Sequence, residues 1–193
     1  MKKRIVVFAS GNGTNAQNII EYFQQGTFAE VVQVLSNNEH AKVLERAKTL
    51  KTKASHFTRA ELHDENGVLK TLLELQPDLI VLAGFLWMFP KLILAEFPNK
   101  VINIHPALLP KYGGKGMYGM NVHKAVVENE EEESGITIHY VNEAYDEGAI
   151  ICQKKTTLEK EDTPEDVAKK VHALEYEHFP CVIEELLMQE SDD

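Results

Sequence analysis

The chain alternates short, wholly apolar runs with longer amphipathic ones. Ile5-Val6-Val7-Phe8 is continuous, short and mostly β-branched, which predicts a strand buried on both faces. Residues 18–25 then carry Ile19, Ile20 and Phe23 at helical spacing. Residues 31–35 read as a second strand, and 41–50 as a second helix with Val43, Leu44 and Ala47 turned inward. Residues 55–57 make a short third strand, and 61–75 a third helix stopped by Gln76-Pro77. Residues 79–83 form a fully apolar strand, 91–97 a short helix closed off before Pro98, and 101–104 a fifth strand. This alternation argues for a parallel sheet with helices on both faces and right-handed crossovers.

The second half has a different texture. Residues 122–127 read as a helix. Residues 135–141 alternate, with Ile136, Ile138 and Tyr140 on one face, and 149–157 form a further strand. These two strands are expected to pair antiparallel across a loop at 142–148. Thr163-Pro164-Glu165-Asp166 is a helix start, with a Thr cap, Pro at the first position and acids in the first turn. That helix is expected to run to about residue 178, to kink or break at Pro180 and to resume over 182–188. The acidic run 130–133 is expected to be a solvated loop, and Ser191-Asp192-Asp193 to fray. The fold expected is α/β: a Rossmann-like, doubly wound, mostly parallel sheet with an antiparallel edge portion in the C-terminal half.

Composition narrows the function. A chain of 193 residues suits a single domain, 1–193, that buries roughly 70% of its unfolded surface and needs no disulfide or metal staple. The net charge of −10 opposes nucleic acid, yet a small anion needs a few donors at most. Cys152 and Cys181 show no CxxC spacing, so no zinc site or disulfide framework is expected. The apolar run that follows the basic N-terminus breaks at Ser10-Gly11, too soon for a secretory signal. No stretch approaches the ~20 apolar residues of a membrane span. Small-molecule substrates are therefore expected, with no metal, nucleic-acid or membrane partner.

In doubly wound sheets, ligands gather beyond the carboxyl ends of the strands. After the first strand comes Gly11-Asn12-Gly13-Thr14-Asn15-Ala16, a GxGxxA turn that can set a helix N-terminus against a phosphate. A dinucleotide site would also want an acid after the second strand, and Ser36-Asn37-Asn38 stands there instead. After the fifth strand comes Asn103-Ile104-His105-Pro106-Ala107-Leu108-Leu109-Pro110. Asn103 and His105, two apart on a strand, share a face, and buried polar groups there need partners. His139 lies in a second-half strand and Asp146 in the loop after it. Asp146 close to His105 would raise the imidazole pKa and favour imidazolium.

Asn103 to Pro110 resembles the signature of the folate-dependent formyltransferases. Ser10 to Asn15 resembles that family's phosphate turn, and Leu82-Ala83-Gly84-Phe85 its central strand end. His139 and Asp146 match its spacing, so the resemblance covers nearly the whole chain. It implies direct formyl transfer from 10-formyltetrahydrofolate and, in the closest branch, an acceptor amine on N1-(5-phosphoribosyl)glycinamide in purine synthesis. It also implies a catalytic set of Asn103, His105, Asp146 and His139. Gly13, Thr14 and Asn15 would then hold the acceptor phosphate, and Glu175 its ribose. Arg59, Leu86, Trp87, Met88 and Phe89 would line the folate site, with Asn103, Asn142, Glu143, Ala144, Tyr145 and Asp146. Residues up to about 100 would bind phosphate, and about 101–190 would hold folate and catalysis. A cytoplasmic monomer or homodimer is expected. The side chains of residues 86–89 depart from the commonest family pattern, and residues 111–120 are richer in glycine than in some members.

Relatives with similar chemistry are expected to look different. A tRNA formyltransferase would need a further C-terminal domain and a basic surface. A formyltetrahydrofolate hydrolase would need an N-terminal regulatory domain. Sugar-nucleotide formyltransferases are usually longer. A non-catalytic nucleotide-binding module would account for the turn at 11–15 but give Asn103, His105 and Asp146 no task.

Overall fold

The computed structural model describes residues 1–189, so the frayed tail expected at 191–193 lies outside the described residues. Seven strands form one sheet in the order β3-β2-β1-β4-β5-β6-β7. They are β1 (Lys3–Phe8), β2 (Ala29–Ser36), β3 (Ala54–His56), β4 (Leu79–Leu82), β5 (Val101–His105), β6 (Glu133–Tyr140) and β7 (Ile150–Thr157). The first five run parallel, while β6 pairs antiparallel with both β5 and β7. This is the expected doubly wound sheet with an antiparallel edge portion.

The continuous apolar runs work as a two-sided sheet requires. Ile5 and Val7 of β1, with Leu79 and Val81 of β4, belong to one buried cluster. Val6 and Phe8, with Ile80 and Leu82, belong to the other. The first face is covered by α1 (Thr14–Gln24), α2 (Lys42–Thr49), α6 (Met120–Glu128) and α7 (Pro164–Gln189). The second is covered by α3 (Arg59–His63), α4 (Lys70–Leu75) and α5 (Lys91–Glu96). Among the described residues, no helix is long and apolar enough to cross a membrane.

Four expectations need correction. The single helix over 61–75 is α3, a π-helical turn at Glu65–Leu69, then α4, because Gly67 is non-helical (φ −93°, ψ −120°). The chain turns so tightly there that a Cβ on residue 67 would lie 2.0 Å from the Glu61 carbonyl oxygen. Pro180 does not break α7, which is continuous over Pro164–Gln189. A proline withholds the N–H that would bond the carbonyl four residues back. That carbonyl, on Tyr176, instead accepts from Asn18 Nδ2 of α1 at 3.0 Å. The acidic run 130–133 is not simply a solvated loop: Glu133 opens β6, and Glu131 accepts from Lys111 Nζ and the Tyr112 hydroxyl, each at 2.9 Å. The helix expected at 18 starts four residues earlier, with polar Thr14 and Asn15 opening its first turn ahead of the buried Ala16.

Candidate active site

The strand order reverses direction between β1 and β4, and the crevice at such a switch point is where a doubly wound sheet binds ligands. A cavity of about 600 Å³ opens there. Its lining includes residues 11–15 after β1, 83–86 after β4, 103–106 at the end of β5, and 114–120. His123 of α6, Tyr145 and Asp146 of the β6–β7 loop, and His172 and Glu175 of α7 also line it.

Backbone builds the turn after β1. Gly13 has φ +73°, and a Cβ there would lie 2.3 Å from Val43 Cγ2, so this close crossing of α2 requires glycine. Arg46 of α2 grips the turn from behind, with Nε on the Asn12 carbonyl at 2.8 Å and Nη2 on Asn12 Oδ1 at 2.9 Å. No side chain caps the start of α1. Its opening N–H groups therefore lack intrahelical partners and favour an anion.

Side chains build the other part of the cavity. Asn103 on β5 stands directly opposite His139 on β6. His139 Nδ1 lies 2.9 Å from the Tyr140 carbonyl, so it carries the proton, and Nε2 accepts from Asn103 Nδ2 at 3.1 Å. The second Asn103 N–H is held loosely, 3.5 Å from Asp146 Oδ1. His105 is buried, with Nε2 2.7 Å from the Tyr112 carbonyl and Nδ1 3.5 Å from Asp146 Oδ2. Asp146 Oδ2 also accepts from the Gly114 N–H at 3.0 Å, and His139 Nε2 lies 3.6 Å from Oδ1. Thr137, opposite His105, donates to the Ala107 carbonyl at 2.7 Å and accepts from the Leu109 N–H at 3.0 Å, pinning the chain as it leaves β5.

The electrostatics differ from expectation at one point. Asp146 does pull the His105 pKa upward, but burial outweighs it and the value falls below that of ordinary imidazole. His105 is therefore neutral at pH 7, with Nε2–H donating to the Tyr112 carbonyl, and is not the imidazolium anticipated. Burial raises the Asp146 pKa, but the two histidine rings and the Gly114 N–H more than offset this and hold the carboxylate ionised.

A third cluster was only partly visible in the sequence. Glu175 is buried and accepts from Asn15 Nδ2 at 2.9 Å and from His172 Nδ1 at 2.8 Å, which raises the His172 pKa. His123 packs edge-on to His172, with ring centroids 6.4 Å apart, and burial pushes its pKa down to about 4. Asn15 Oδ1 and His123 Nδ1 are buried and have no hydrogen-bond partner. The i, i+3 spacing of His172 and Glu175 was a readable sign, whereas nothing in the sequence ties His123 to them.

The residues expected around folate divide. Leu86, Asn103, Tyr145 and Asp146 line the cavity, while Arg59, Trp87, Met88, Phe89, Asn142, Glu143 and Ala144 do not. Phe89 is a core side chain, 5.1 Å from the Phe8 ring by centroids. The Arg59 guanidinium lies 5.6 Å from the centroid of the Trp87 ring. Glu143 pairs with Lys91, which ties the β6–β7 loop to the start of α5. The Leu86 N–H donates to Ser10 Oγ at 2.9 Å, fixing the turn after β4 to the turn after β1.

Comparison with known proteins agrees with this geometry. The formyl transferase family model matches residues 3–183. The chain is 37% identical to the phosphoribosylglycinamide formyltransferase of Haemophilus influenzae, over 94% of this chain and 85% of that one. It is 33% identical to the Bacillus subtilis protein of the same name, over 96% and 95%. The crystal structure of glycinamide ribonucleotide transformylase 1 from Symbiobacterium toebii superimposes with a TM-score of 0.88 at 30% identity, covering 97% of this chain and 89% of that one. The chain belongs to the formyl transferase family.

Proposed function

We propose that the protein moves the formyl group of 10-formyltetrahydrofolate onto the amine of N1-(5-phosphoribosyl)glycinamide, yielding the formylated ribonucleotide and tetrahydrofolate. One observation carries the reading. Asn103, His105 and Asp146 converge on the wall of a cavity whose lining also holds an uncapped helix start at residues 13–15. Such a cavity suits an amine acceptor that carries a phosphate. Its volume lies within the usual range for small-molecule sites. The partnerless Asn15 Oδ1 and His123 Nδ1 are the kind of buried polar atoms that a ligand satisfies.

The folate supplies a formyl carbon on nitrogen as electrophile. Addition of the neutral amine puts negative charge on the formyl oxygen. The loosely held N–H of Asn103 is free to turn onto that oxygen, because its other hydrogen already anchors the amide to His139. One such donor is typically worth about 2.7–4 kcal/mol of barrier. Asp146, ionised, takes the proton released by the amine, directly or through a water. His105 Nδ1, unprotonated and 3.5 Å away, shares it. A base with its pKa below 7 is ready for that task at neutral pH. The proton then goes to the departing folate nitrogen, and the formyl carbon keeps its new bond to the acceptor. Gly13, Thr14 and Asn15 hold the phosphate through backbone N–H groups, and Glu175 faces the ribose hydroxyls. Leu86 and Tyr145 border the folate, while Arg59 and the aromatic cluster at 85–89 shape the approach to it. The reading extends to a cytoplasmic protein acting as a monomer or homodimer.

The test is release of deformylated folate, followed by absorbance, with and without the acceptor. Release that requires phosphoribosylglycinamide is expected. Release at the same rate with water alone would make the protein a hydrolase and overturn the transferase reading.

A further inference from the structure

The glycine-rich segment between β5 and α6 has so far served only as cavity wall. Among the described residues, Lys115 is the only lysine or arginine in the cavity lining, and it makes no ion pair. Lys111, four residues before it, is committed to Glu131 at 2.9 Å, and Lys91 at the start of α5 to Glu143. Lys115 is presented by a defined turn. The Met117 N–H bonds the Gly114 carbonyl at 3.1 Å, and Gly116, third in that turn, has φ +90°, as a type II turn asks of that position. Asn121 Nδ2 holds the Gly116 carbonyl at 3.1 Å from the far side. The exposed lysine thus stands at the tip of a braced turn.

The same segment reaches the catalytic groups by its backbone. The Tyr112 carbonyl faces His105 Nε2, and the Gly114 N–H bonds Asp146 Oδ2. Asp146 and Glu175 are the carboxylates in the cavity lining, in a chain of net charge −10. Glu175 is paired with His172 at 2.8 Å, but among the described residues no full cation stands beside Asp146, and a phosphorylated acceptor entering there is repelled unless a cation offsets the charge. The uncapped start of α1 supplies partial positive charge at most. Lys115 supplies a full charge that no carboxylate among the described residues holds, unlike His172, which is paired with Glu175, and its flexible stem suits a phosphate as a point cation.

We propose that Lys115 binds the phosphate of the acceptor, and that the turn carrying it positions His105 and Asp146 as it does so. This rests on the acceptor being a phosphorylated amine, as proposed above. In Lys115→Met, the KM for phosphoribosylglycinamide is expected to rise roughly tenfold or more, the loss of one charge-assisted contact. The KM for 10-formyltetrahydrofolate should stay within twofold, and Lys115→Arg should recover most of the loss. Inhibition by inorganic phosphate, competing against the acceptor, should weaken in Lys115→Met by a similar factor. An acceptor KM within twofold of wild type, or a folate KM rising as much as the acceptor KM, would overturn the assignment to phosphate. Wild-type protein that fails to turn over phosphoribosylglycinamide would instead overturn the reaction, and the Lys115 role with it.

Discussion

The two halves of the sheet contribute to the cavity in opposite ways. β1 and β4 are buried on both faces, and their residues from Ile5 to Phe8 and Leu79 to Leu82 are wholly apolar. They offer a ligand nothing along their length, so what they provide comes from the backbone turns at their ends, Gly11 to Asn15 and Ala83 to Leu86. β6 is equally buried but carries Ser134, Thr137 and His139 inside. Antiparallel pairing with β5 sets His139 directly opposite Asn103, which bonds it, and Thr137 directly opposite His105, so the seam gathers polar side chains on one ladder. In the function proposed, the parallel half holds the anion with backbone amides and the antiparallel seam performs the chemistry with side chains.

The sharpest way to separate the halves is at Asp146, which draws together Asn103, His105 and His139. Asp146→Asn is expected to lower kcat by about a hundredfold while leaving acceptor KM within threefold. It should also move the acidic limb of the pH–rate profile to lower pH, because Asp146 raises the His105 pKa and its loss leaves burial opposed mainly by the Tyr112 carbonyl. A profile that stays in place would detach His105 from that limb.

A smaller effect lies in stability. His123 has its folded pKa pushed down to about 4 from 6.5. Between those values the unfolded chain binds more protons, so this contribution is whole above pH 6.5 and is lost as pH falls towards 4. It reaches about 3 kcal/mol in full. Urea denaturation of His123→Gln across that range should show a flatter dependence on pH than wild type. An unchanged dependence would place the acid sensitivity elsewhere.

The smallest effect belongs to the backbone half. Gly13→Ala puts a methyl group against Val43 at a left-handed position, at a cost of roughly 1–3 kcal/mol. A thermal melt should fall by several degrees, and acceptor KM should rise with little change in kcat. Adding Val43→Ala should recover little, because its Cβ and Cα, 2.4 and 2.8 Å from the added methyl, remain, as does the strain of φ +73°.

The sequence made these halves legible to different degrees. Period and punctuation were enough for β1, β4 and β5, because a strand buried on both faces must be apolar throughout. Asn103 and His105 could be placed on one face by parity alone. The pairing of Asn103 with His139 depends on strand register, which no local pattern encodes. The continuity of α7 through Pro180 depends on Asn18, far away in sequence, accepting the task of satisfying Tyr176. His105 was misjudged in charge because burial is a property of the whole fold, while the neighbouring carboxylate was visible as a motif. The packing of the Phe89 ring on Phe8 is a tertiary fact that its position in the chain does not show.

The central claim is that the antiparallel seam performs chemistry that the parallel half only hosts. His105→Ala tests it most directly, with turnover measured beside calorimetric binding of phosphoribosylglycinamide. The account predicts acceptor affinity within threefold of wild type and turnover lower by a hundredfold or more. Turnover within threefold of wild type would contradict it.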